Sequence, residues 1–265
     1  MASEQWIYEG EGAPEKWPQL YPASGGKCQS PIDIKTRATH FDATMTPVCV
    51  NYVPEETTVV NTGWSFQIPF KGKDSYIKGG PLNYKYQLAQ LHFHWGSSAS
   101  SGSEHTVDGK SSAGELHIVH WNSDRYGSVK EAAQHADGLA VLGFLIRVKG
   151  GDEEHSKMKT VTDALAKIPF KGDSHSIGLF SPGWLMPDDL KQYWTYNGSL
   201  TTPPCSEAVS WLVFKNTLPI SAPQLNAFRS LHWNSAEKTN ACDMMVDNWR
   251  PVQELGGRRV RASFT

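Results

Sequence analysis

The sequence predicts a mainly β fold in a single domain, with short helices at its periphery. Short runs rich in Val, Ile, Phe, Trp and Tyr recur between turns, and the chain has 23 glycines and 16 prolines to form those turns. No segment repeats at a fixed period, and no Pro/Ser-rich or single-sign stretch marks a linker. Because 265 residues are enough to bury a large core, we expect one domain over residues 1–265.

Six runs have the length and composition of strands. The run Leu139–Val148 (LAVLGFLIRV) is almost continuously apolar, as expected of a central strand that is covered on both faces. The predicted strands are Val48–Tyr52, Phe66–Ile68, Leu88–Trp95, Glu115–Trp121, Leu139–Val148 and Val209–Phe214.

The clearest helix signal covers Ala222–Leu231. Ser221 precedes it as an N-cap, and Gln224 stands at the position that completes a capping box. Leu225 and Phe228 lie three residues apart and therefore on one face, so we expect that face to be buried.

Charge and hydropathy exclude several classes of partner. The formal net charge is −2, and Lys and Arg are scattered among Asp and Glu, so we expect no nucleic acid and no polybasic membrane anchor. No apolar run approaches the roughly 20 residues of a transmembrane helix, and the first residues lack a leader pattern. We therefore expect a cytoplasmic monomer that binds a small molecule, or a secreted protein if a leader was removed.

Two histidines share one face of a predicted strand. In the segment QLHFHW, the two-residue period of a strand places Gln90, His92 and His94 on one face and the apolar residues between them on the other. On its own, such a pattern is more often a half-solvated polar face than a metal site. A third ligand from elsewhere would change that interpretation.

The segment ELHIV supplies a candidate third ligand. Glu115 and His117 face one way on this predicted strand, so His117 completes a triad if the two strands are neighbours. Three neutral imidazoles with an open fourth position are typical of catalytic zinc. Gln90 and Glu115 each lie two residues from a ligand on the same face, where they can orient His92 and His117 through the other ring nitrogen.

Rival motifs are absent from the sequence. There is no His-Glu-x-x-His and no Gly-x-Ser-x-Gly, and a phosphate loop ending at Gly109-Lys110-Ser111 would need a glycine where Glu104 stands. His120 faces away from His117 by strand parity, so we expect it to pack in the interior. The other histidines have no paired spacing, and we expect each to be structural or exposed: His40, His105, His135, His155, His175 and His232.

Long stretches of the chain resemble the α-carbonic anhydrase family. The motifs that carry the resemblance occur in family order and extend from Trp6-Ile7-Tyr8 to the segment VDNWRP at 246–251. They include QSPIDI (29–34), QLHFHWG (90–96), GSEHTVDG (102–109), ELHIVHWN (115–122) and YWTYNGSLTTPP (193–204).

The resemblance implies a large, mostly antiparallel central sheet with Zn²⁺ at the bottom of a conical cleft. It implies reversible hydration of carbon dioxide to bicarbonate by zinc-bound hydroxide, and inhibition by sulfonamides. Thr201 and Glu104 would be the catalytic pair, with the Thr201 hydroxyl donating to Glu104, and Asn248 would support the metal ligands. The implied substrate pocket comprises Val119, Val141, Leu200, Thr202, Val209 and Trp211.

The chain departs from the family pattern where the fastest members carry a proton-shuttle histidine. That position is Trp64, and an indole has no group that titrates near neutral pH. The surrounding proton-transfer region, by resemblance, comprises Tyr8, Asn61, Thr62 and Gln67. We therefore expect proton transfer to limit turnover.

The sequence leaves two questions open. Cys28 and Cys205 match a pair that forms a disulfide in many secreted relatives, although the second cysteine also occurs in cytosolic ones.

An alternative function is a carbonic-anhydrase-like binding domain that keeps the fold and has lost catalysis. Relatives of that kind usually lack at least one zinc histidine, whereas His92, His94 and His117 are all present here.

Overall fold

The computed structural model describes residues 6–150, 153–239 and 243–265, and strands dominate it. The strands are β1 (Asp33–Ile34), β2 (His40–Phe41), β3 (Val48–Asn51), β4 (Glu55–Asn61), β5 (Phe66–Pro69), β6 (Tyr76–Gly79), β7 (Leu82–Trp95), β8 (Thr106–Val107), β9 (Gly114–Asn122), β10 (Leu139–Val148), β11 (Ser174–Phe180), β12 (Tyr193–Gly198), β13 (Val209–Ile220) and β14 (Arg261–Ala262).

The helices of the described residues are short. The α-helices are α1 (Trp17–Leu20), α2 (Val129–Ala132), α3 (Ser156–Leu165) and α4 (Ala222–Phe228). Turns of 3₁₀-helix occupy Gly10–Gly12, Pro14–Lys16, Pro22–Gly25, Thr36–Ala38, Pro182–Trp184 and Ala236–Lys238. The prediction of a mainly β fold with peripheral helices is confirmed.

Most strands join one large sheet. Its order is β11-β4-β5-β7-β9-β10-β13-β12-β14-β2, and β3 is attached through β6 to β7. The pairings β10 with β13 and β14 with β2 are parallel, and the other pairings in this sheet are antiparallel. β1 and β8 form a separate parallel pair. The strands β7, β9 and β10 lie side by side at the centre, where both faces of the sheet can be covered.

All six predicted strands are present, and their ends differ by a few residues. β10 has its predicted bounds, and its first eight residues are buried, as expected of a strand that is covered on both faces. β7 and β13 are the longest strands and extend beyond the predicted runs. Polar residues such as Asn83 and Lys85 in the early part of β7 hid that part of the strand from a pattern based on apolar residues.

Helix α4 begins as predicted and ends three residues early, at Phe228. The Ser221 hydroxyl accepts the Gln224 backbone N–H (3.3 Å), and the Gln224 side chain accepts the Ser221 N–H (3.2 Å), so the capping box is confirmed. Leu225 and Phe228 are buried as expected. Beyond Phe228 the chain bonds three residues back, from Leu231 N to Phe228 O, which is a turn and not a continued α-helix.

The two faces of the sheet carry different groups. Leu91, Phe93 and Leu116 point into the larger apolar cluster of the core, together with residues of α3 and α4. Val119 and Trp211 belong to a second apolar cluster. Strand alternation places His92, His94 and His117 on the face opposite to the larger cluster, so the sheet separates the main core from the histidines.

Candidate metal centre

Strand register brings the three predicted ligands together. β7 and β9 are antiparallel neighbours, with His92 directly opposite His117 and His94 opposite Glu115. All three imidazoles are buried, since His92 is 7% exposed, His117 1% and His94 0%. Their ligand nitrogens lie within 4.8 Å of one another, so the predicted triad is present.

In each imidazole, the nitrogen that points away from the triad lies beside an oxygen that can accept its hydrogen. His92 Nδ1 lies 2.9 Å from Gln90 Oε1, and His117 Nε2 lies 2.9 Å from Glu115 Oε1. His94 Nδ1 lies 2.6 Å from the backbone carbonyl oxygen of Asn248. An acceptor requires the hydrogen on the outer nitrogen, so the inner nitrogens His92 Nε2, His94 Nε2 and His117 Nδ1 keep free lone pairs.

Burial favours the neutral form of two of the imidazoles, His92 and His94. Burial lowers the pKa of His92 well below its ordinary value, and His117 and His94 lower it further. Burial also lowers the pKa of His94, although the nearby Glu104 carboxylate opposes that shift. Neutral imidazole is the form that binds a metal, so these rings need not lose a proton at neutral pH.

Two buried acceptor atoms face each other at the centre of the site. His94 Nε2 and Glu104 Oε2 are 3.3 Å apart, and neither has a hydrogen-bond partner among the described residues. His117 Nδ1 and His92 Nε2, both with free lone pairs, are also 3.3 Å apart. Buried lone pairs directed at one another are unfavourable unless a cation or a proton donor lies between them. The residues therefore fit a bound metal ion, and three histidine nitrogens suit zinc.

Glu115 joins the triad to a buried polar chain. Its Oε1 accepts from His117 Nε2 and from His105 Nδ1 (2.7 Å), while its Oε2 accepts the backbone N–H of His105 (2.8 Å). Burial alone would raise the pKa of the Glu115 carboxyl, but His105 and His117 outweigh it and hold that pKa well below the ordinary value. Gly143 lies opposite His117 on β10, and a Cβ there would meet Glu115 Oε1 at 3.1 Å, so glycine leaves room for this carboxylate.

The buried series of hydrogen-bonded polar groups continues beyond His105 and includes two residues, Tyr196 and Ser30, that the sequence analysis did not single out. The other His105 nitrogen, Nε2, accepts from the Tyr196 hydroxyl at 2.7 Å, and the same hydroxyl oxygen lies 2.9 Å from Ser30 Oγ. We expected His105 to be structural or exposed, and it is structural but linked to the metal centre. Its position beside Glu104 was a weak sequence signal. Only the fold shows that it touches Glu115.

Glu104 is fixed on one side and free on the other. Its Oε1 accepts the backbone N–H of Arg250 at 2.9 Å, and its Oε2 is the unpartnered atom that faces the triad. The Arg250 guanidinium is buried and donates to Gln29 Oε1, Ser30 O and Ser24 O. Thr201 is also buried, at 4% exposure. The hydrogen bond from Thr201 to Glu104 stays a prediction.

An apolar wall adjoins His117. Val141 pairs with Val119 on one side and with Trp211 on the other, and the Trp211 ring centroid lies 4.8 Å from that of His117. Val209 is buried in the same cluster, and Leu200 packs against it partly exposed. Thr202 follows Thr201 in a tight turn, where its carbonyl accepts the Cys205 N–H. Five of the six predicted pocket residues thus belong to one apolar cluster.

Trp64 lies in a turn above the histidines. Its ring centroid is 5.1 Å from that of His92 and 6.4 Å from that of His94. Thr62 closes the turn, because its hydroxyl donates to Ser65 O at 2.8 Å. Asn61 is fully buried, and its amide donates to backbone carbonyls and accepts the Gly63 N–H at 2.9 Å. Asn61 therefore supports the turn that carries Trp64.

Two other members of the predicted proton-transfer region border these residues. Gln67 is half-buried and pairs with His92 across β5 and β7. Tyr8 is buried, its hydroxyl has no hydrogen-bond partner among the described residues, and burial raises its pKa well above the ordinary value. Trp6 connects the two aromatic groups, with ring centroids 5.6 Å from Tyr8 and 5.9 Å from Trp64.

Cys28 and Cys205 are free thiols in the structure. Cys205 is buried, and burial raises its pKa to about 12. A thiol with so high a pKa forms little of the thiolate that disulfide exchange requires. The disulfide between the two stays a prediction. Cys242 lies outside the described residues.

His120 is the interior residue that strand parity predicted. Its Nε2 lies 2.8 Å from the Tyr52 hydroxyl, and the two rings stack with centroids 5.8 Å apart. Burial lowers the pKa of His120 to about 3. It lies on the other face of the sheet and does not take part in the metal centre.

Comparison with known proteins identifies relatives of the whole chain. The family model for eukaryotic-type carbonic anhydrase matches residues 12–264. Carbonic anhydrase 1 of Monodelphis domestica is 44% identical, and carbonic anhydrase 1 of Mus musculus is 45% identical, each over the full length of both chains. No helix among the described residues is both long and apolar enough to cross a membrane.

Proposed function

This chain belongs to the eukaryotic-type carbonic anhydrase family, and on that premise we propose that it hydrates carbon dioxide reversibly at a zinc ion held by His92, His94 and His117. The observation that carries the proposal is the convergence of three buried inner nitrogens within 4.8 Å, each left free because the outer nitrogen of the same ring has an acceptor. When bound, zinc lowers the pKa of a water ligand to about 7, a value established for carbonic anhydrases, and so supplies a nucleophile at neutral pH.

Gln90, Asn248 and Glu115 hold the ligand rings in the tautomer that binding needs. Each supplies the oxygen that takes the outer N–H of one ring. Glu115 is itself held by two hydrogen bonds from His105, so the support extends one residue further. Such outer contacts keep ligand rings from rotating and raise their basicity.

Thr201 and Glu104 orient the nucleophile in this proposal. Glu104 Oε2 is a buried acceptor without a partner among the described residues, so it is free to accept the Thr201 Oγ1–H in the active enzyme. The Thr201 oxygen is then left as an acceptor only, so it fixes the direction of a nucleophile that donates to it. The Arg250 N–H holds the other carboxylate oxygen in place.

The apolar cluster beside His117 receives carbon dioxide. Val119, Val141, Val209 and Trp211 are each at most 5% exposed, and Leu200 packs against them. Carbon dioxide has no net charge and no hydrogen-bond donor, so it loses little on leaving water for such a surface. Charged bicarbonate is held less well there, which favours its release.

The proton released by each turnover has no titratable carrier at position 64. Trp64 packs against His92, and its indole neither gains nor loses a proton near neutral pH. We therefore propose that this proton passes to buffer in solution and that its transfer limits turnover. The attack on carbon dioxide is not affected by this limit.

A hydration assay with and without a chelator, on protein whose zinc content is measured, tests the proposal. We expect one zinc per chain and activity that the chelator abolishes, with both lost in His94→Ala. His175→Ala is the matched control, because His175 is exposed on the edge strand β11. Stoichiometric zinc and normal hydration in His94→Ala would refute the ligand assignment, and bound zinc without hydration would favour the non-catalytic alternative.

We also propose that residues 1–265 form one domain and that the chain is a cytoplasmic monomer. The family model over residues 12–264 supports the single domain. Sedimentation equilibrium tests the oligomeric state, and imaging of a tagged full-length chain tests the location. A stable dimer or secretion would contradict the respective proposal.

A further inference from the structure

The end of strand β7 is bonded to a segment far away in the sequence. The Trp95 N–H donates to Asn248 Oδ1 at 2.7 Å, and the Ser97 N–H donates to Asp247 Oδ1 at 2.9 Å. The carbonyl of Gly96, between them, accepts from Arg229 Nε at 2.8 Å. Three consecutive residues directly after His94 are therefore held by side chains from 133 or more residues further along the chain.

His94 depends on this contact more than the other two metal ligands do. Gln90 and Glu115 lie two residues from His92 and His117 on the same strands, so local strand geometry places each acceptor beside its ring. The acceptor of His94 is the backbone carbonyl of Asn248, 154 residues away. Only tertiary contacts can hold that carbonyl 2.6 Å from the His94 ring.

Asp247 has an unusual backbone conformation. Its φ is +56°, in the left-handed region that few residues other than glycine adopt. Aspartate and asparagine tolerate this region better than other side chains do. Glycine would satisfy the backbone alone, so what an aspartate adds here is a carboxylate, and its Oδ1 is bonded to the Ser97 N–H.

We propose that Asp247 is a positioning residue for the metal ligand His94. The carboxylate of Asp247 fixes the turn at 247–248 against the end of β7, and the fixed turn keeps the Asn248 carbonyl on His94 Nδ1. His94 Nε2 then stays directed at the metal position. This inference rests on the proposed zinc site, and it assigns the control of one ligand's orientation to a residue that touches neither the metal nor the substrate.

The test compares zinc release from Asp247→Gly with release from wild type, by transfer to a chelator from the full-length protein. Glycine can adopt the same backbone conformation and lacks the acceptor, and the general effect of a more flexible backbone is measured by the control below. Loss of a contact behind a metal ligand commonly weakens binding by 10–100-fold, so we expect release about tenfold faster. The visible absorption of the cobalt-substituted protein, which reports ligand geometry, is expected to change as well. Asp247→Asn, which keeps an oxygen acceptor, should release zinc within about threefold of wild type.

Asp108→Gly is the matched control. Asp108 is also a left-handed aspartate, with φ +50°, and its Oδ1 accepts the backbone N–H of Thr36 at 2.8 Å on the exposed surface. We expect Asp108→Gly to lose stability without any change in zinc release or in the cobalt spectrum. If Asp247→Gly fails to fold, Asp247→Ser takes its place. The serine side chain is one bond shorter than that of aspartate, so its oxygen does not reach the position of Oδ1.

Two results would overturn the inference. One is wild-type zinc release and an unchanged cobalt spectrum in whichever variant folds, because Asp247 would then contribute only to stability. The other is a defect that Asp247→Asn does not rescue. Failure of the zinc site itself would appear differently, as wild-type protein without stoichiometric zinc or as zinc retained in His94→Ala.

Discussion

The Trp64 ring packs edge-on against the His92 ring, with centroids 5.1 Å apart and an angle of 71° between the planes. A bulky indole therefore lies directly beside one of the proposed metal ligands, at the position where a titratable group would be most useful. It can shield the ligand from solvent, and it cannot carry a proton away.

Trp64→His should raise kcat in dilute buffer and leave kcat/KM almost unchanged. Without a carrier, an acid of pKa about 7 must protonate water directly, and recombination near 10¹⁰ M⁻¹s⁻¹ limits release to about 10³ s⁻¹. The fastest carbonic anhydrases reach about 10⁶ s⁻¹, so the gain can approach 10³-fold. Stopped-flow hydration over a range of imidazole-type buffer concentrations is the measurement, and wild-type kcat should rise with that buffer.

Trp184→His controls for an added surface imidazole, because Trp184 is 37% exposed and its ring contacts lie outside the metal centre. It should not change kcat. High wild-type turnover in dilute buffer, unchanged by Trp64→His, would mean that another group carries the proton.

Glu115→Gln should weaken zinc binding by about 10–100-fold. The carboxylate accepts three N–H groups from His105 and His117, and an amide has only one oxygen, so its NH₂ would face a donor. Competition with a fluorescent chelator measures the loss. Glu55→Gln is the control, since the Glu55 carboxylate likewise accepts more than one N–H group, from the backbone of Lys71 and Gly72, outside this site. Equal zinc affinity in both variants would contradict the assigned role.

Thr201→Ala should lower both carbon dioxide hydration and affinity for a primary sulfonamide, with zinc retained. The substitution removes one hydrogen bond to the inhibitor's charged nitrogen and one to the charge that develops during hydration. A hydrogen bond to a charged group is worth about 1.5–3 kcal/mol, so we expect affinity and hydration each to fall roughly 10–100-fold. Thr201→Ser keeps the hydroxyl and should stay close to wild type. Sulfonamide affinity that is the same in all three proteins would show that Thr201 does not contact the inhibitor.

His120 should make the protein less stable as the pH falls from 6.5 towards 3. Its folded pKa is lowered to about 3 by burial, so between these values the unfolded chain binds a proton that the folded protein does not. The free energy of unfolding then falls by up to about 1.4 kcal/mol per pH unit from this group. Urea unfolding at pH 7, 6, 5 and 4 measures the slope on zinc-free protein.

The double variant His120→Phe with Tyr52→Phe removes both partners of the buried pair. Its free energy of unfolding should depend less on pH, by up to about 1.4 kcal/mol per pH unit, which is the contribution of one proton. Tyr52→Phe alone is the control, because it keeps the titratable ring. Identical slopes in all three proteins would assign the acid sensitivity to other groups.

Local strand periodicity made much of the metal centre predictable. The alternation in QLHFHW and ELHIV places His92, His94 and His117 on the correct faces and puts Gln90 and Glu115 beside their rings, because a two-residue period needs no long-range information. Helix α3 lacks the usual start signal in the sequence, although Met158, Val161 and Leu165 follow a helical spacing. Its N-cap is His155, whose Nδ1 accepts the Met158 N–H, in place of the usual Ser, Thr, Asp or Asn.

The family resemblance implied roles for Asn248, Glu104 and Thr201. It did not show which atom of each residue forms a hydrogen bond, or with which partner. A hydrogen bond across 154 residues, such as that from His94 to the Asn248 carbonyl, depends on how two distant segments pack. The same holds for His105, whose link to Tyr196 crosses 91 residues.

The amino-acid sequence therefore predicted the strands, the faces on which the three histidines lie, and the supports of His92 and His117, since all of these follow from the two-residue period of a strand. Packing of distant segments places Trp64 against His92, directs an unpartnered oxygen of Glu104 at His94, and bonds Asp247 to the residue Ser97 just beyond β7. These contacts are between residues that lie far apart in the sequence. No local pattern relates such residues, so their positions depend on how the whole chain packs.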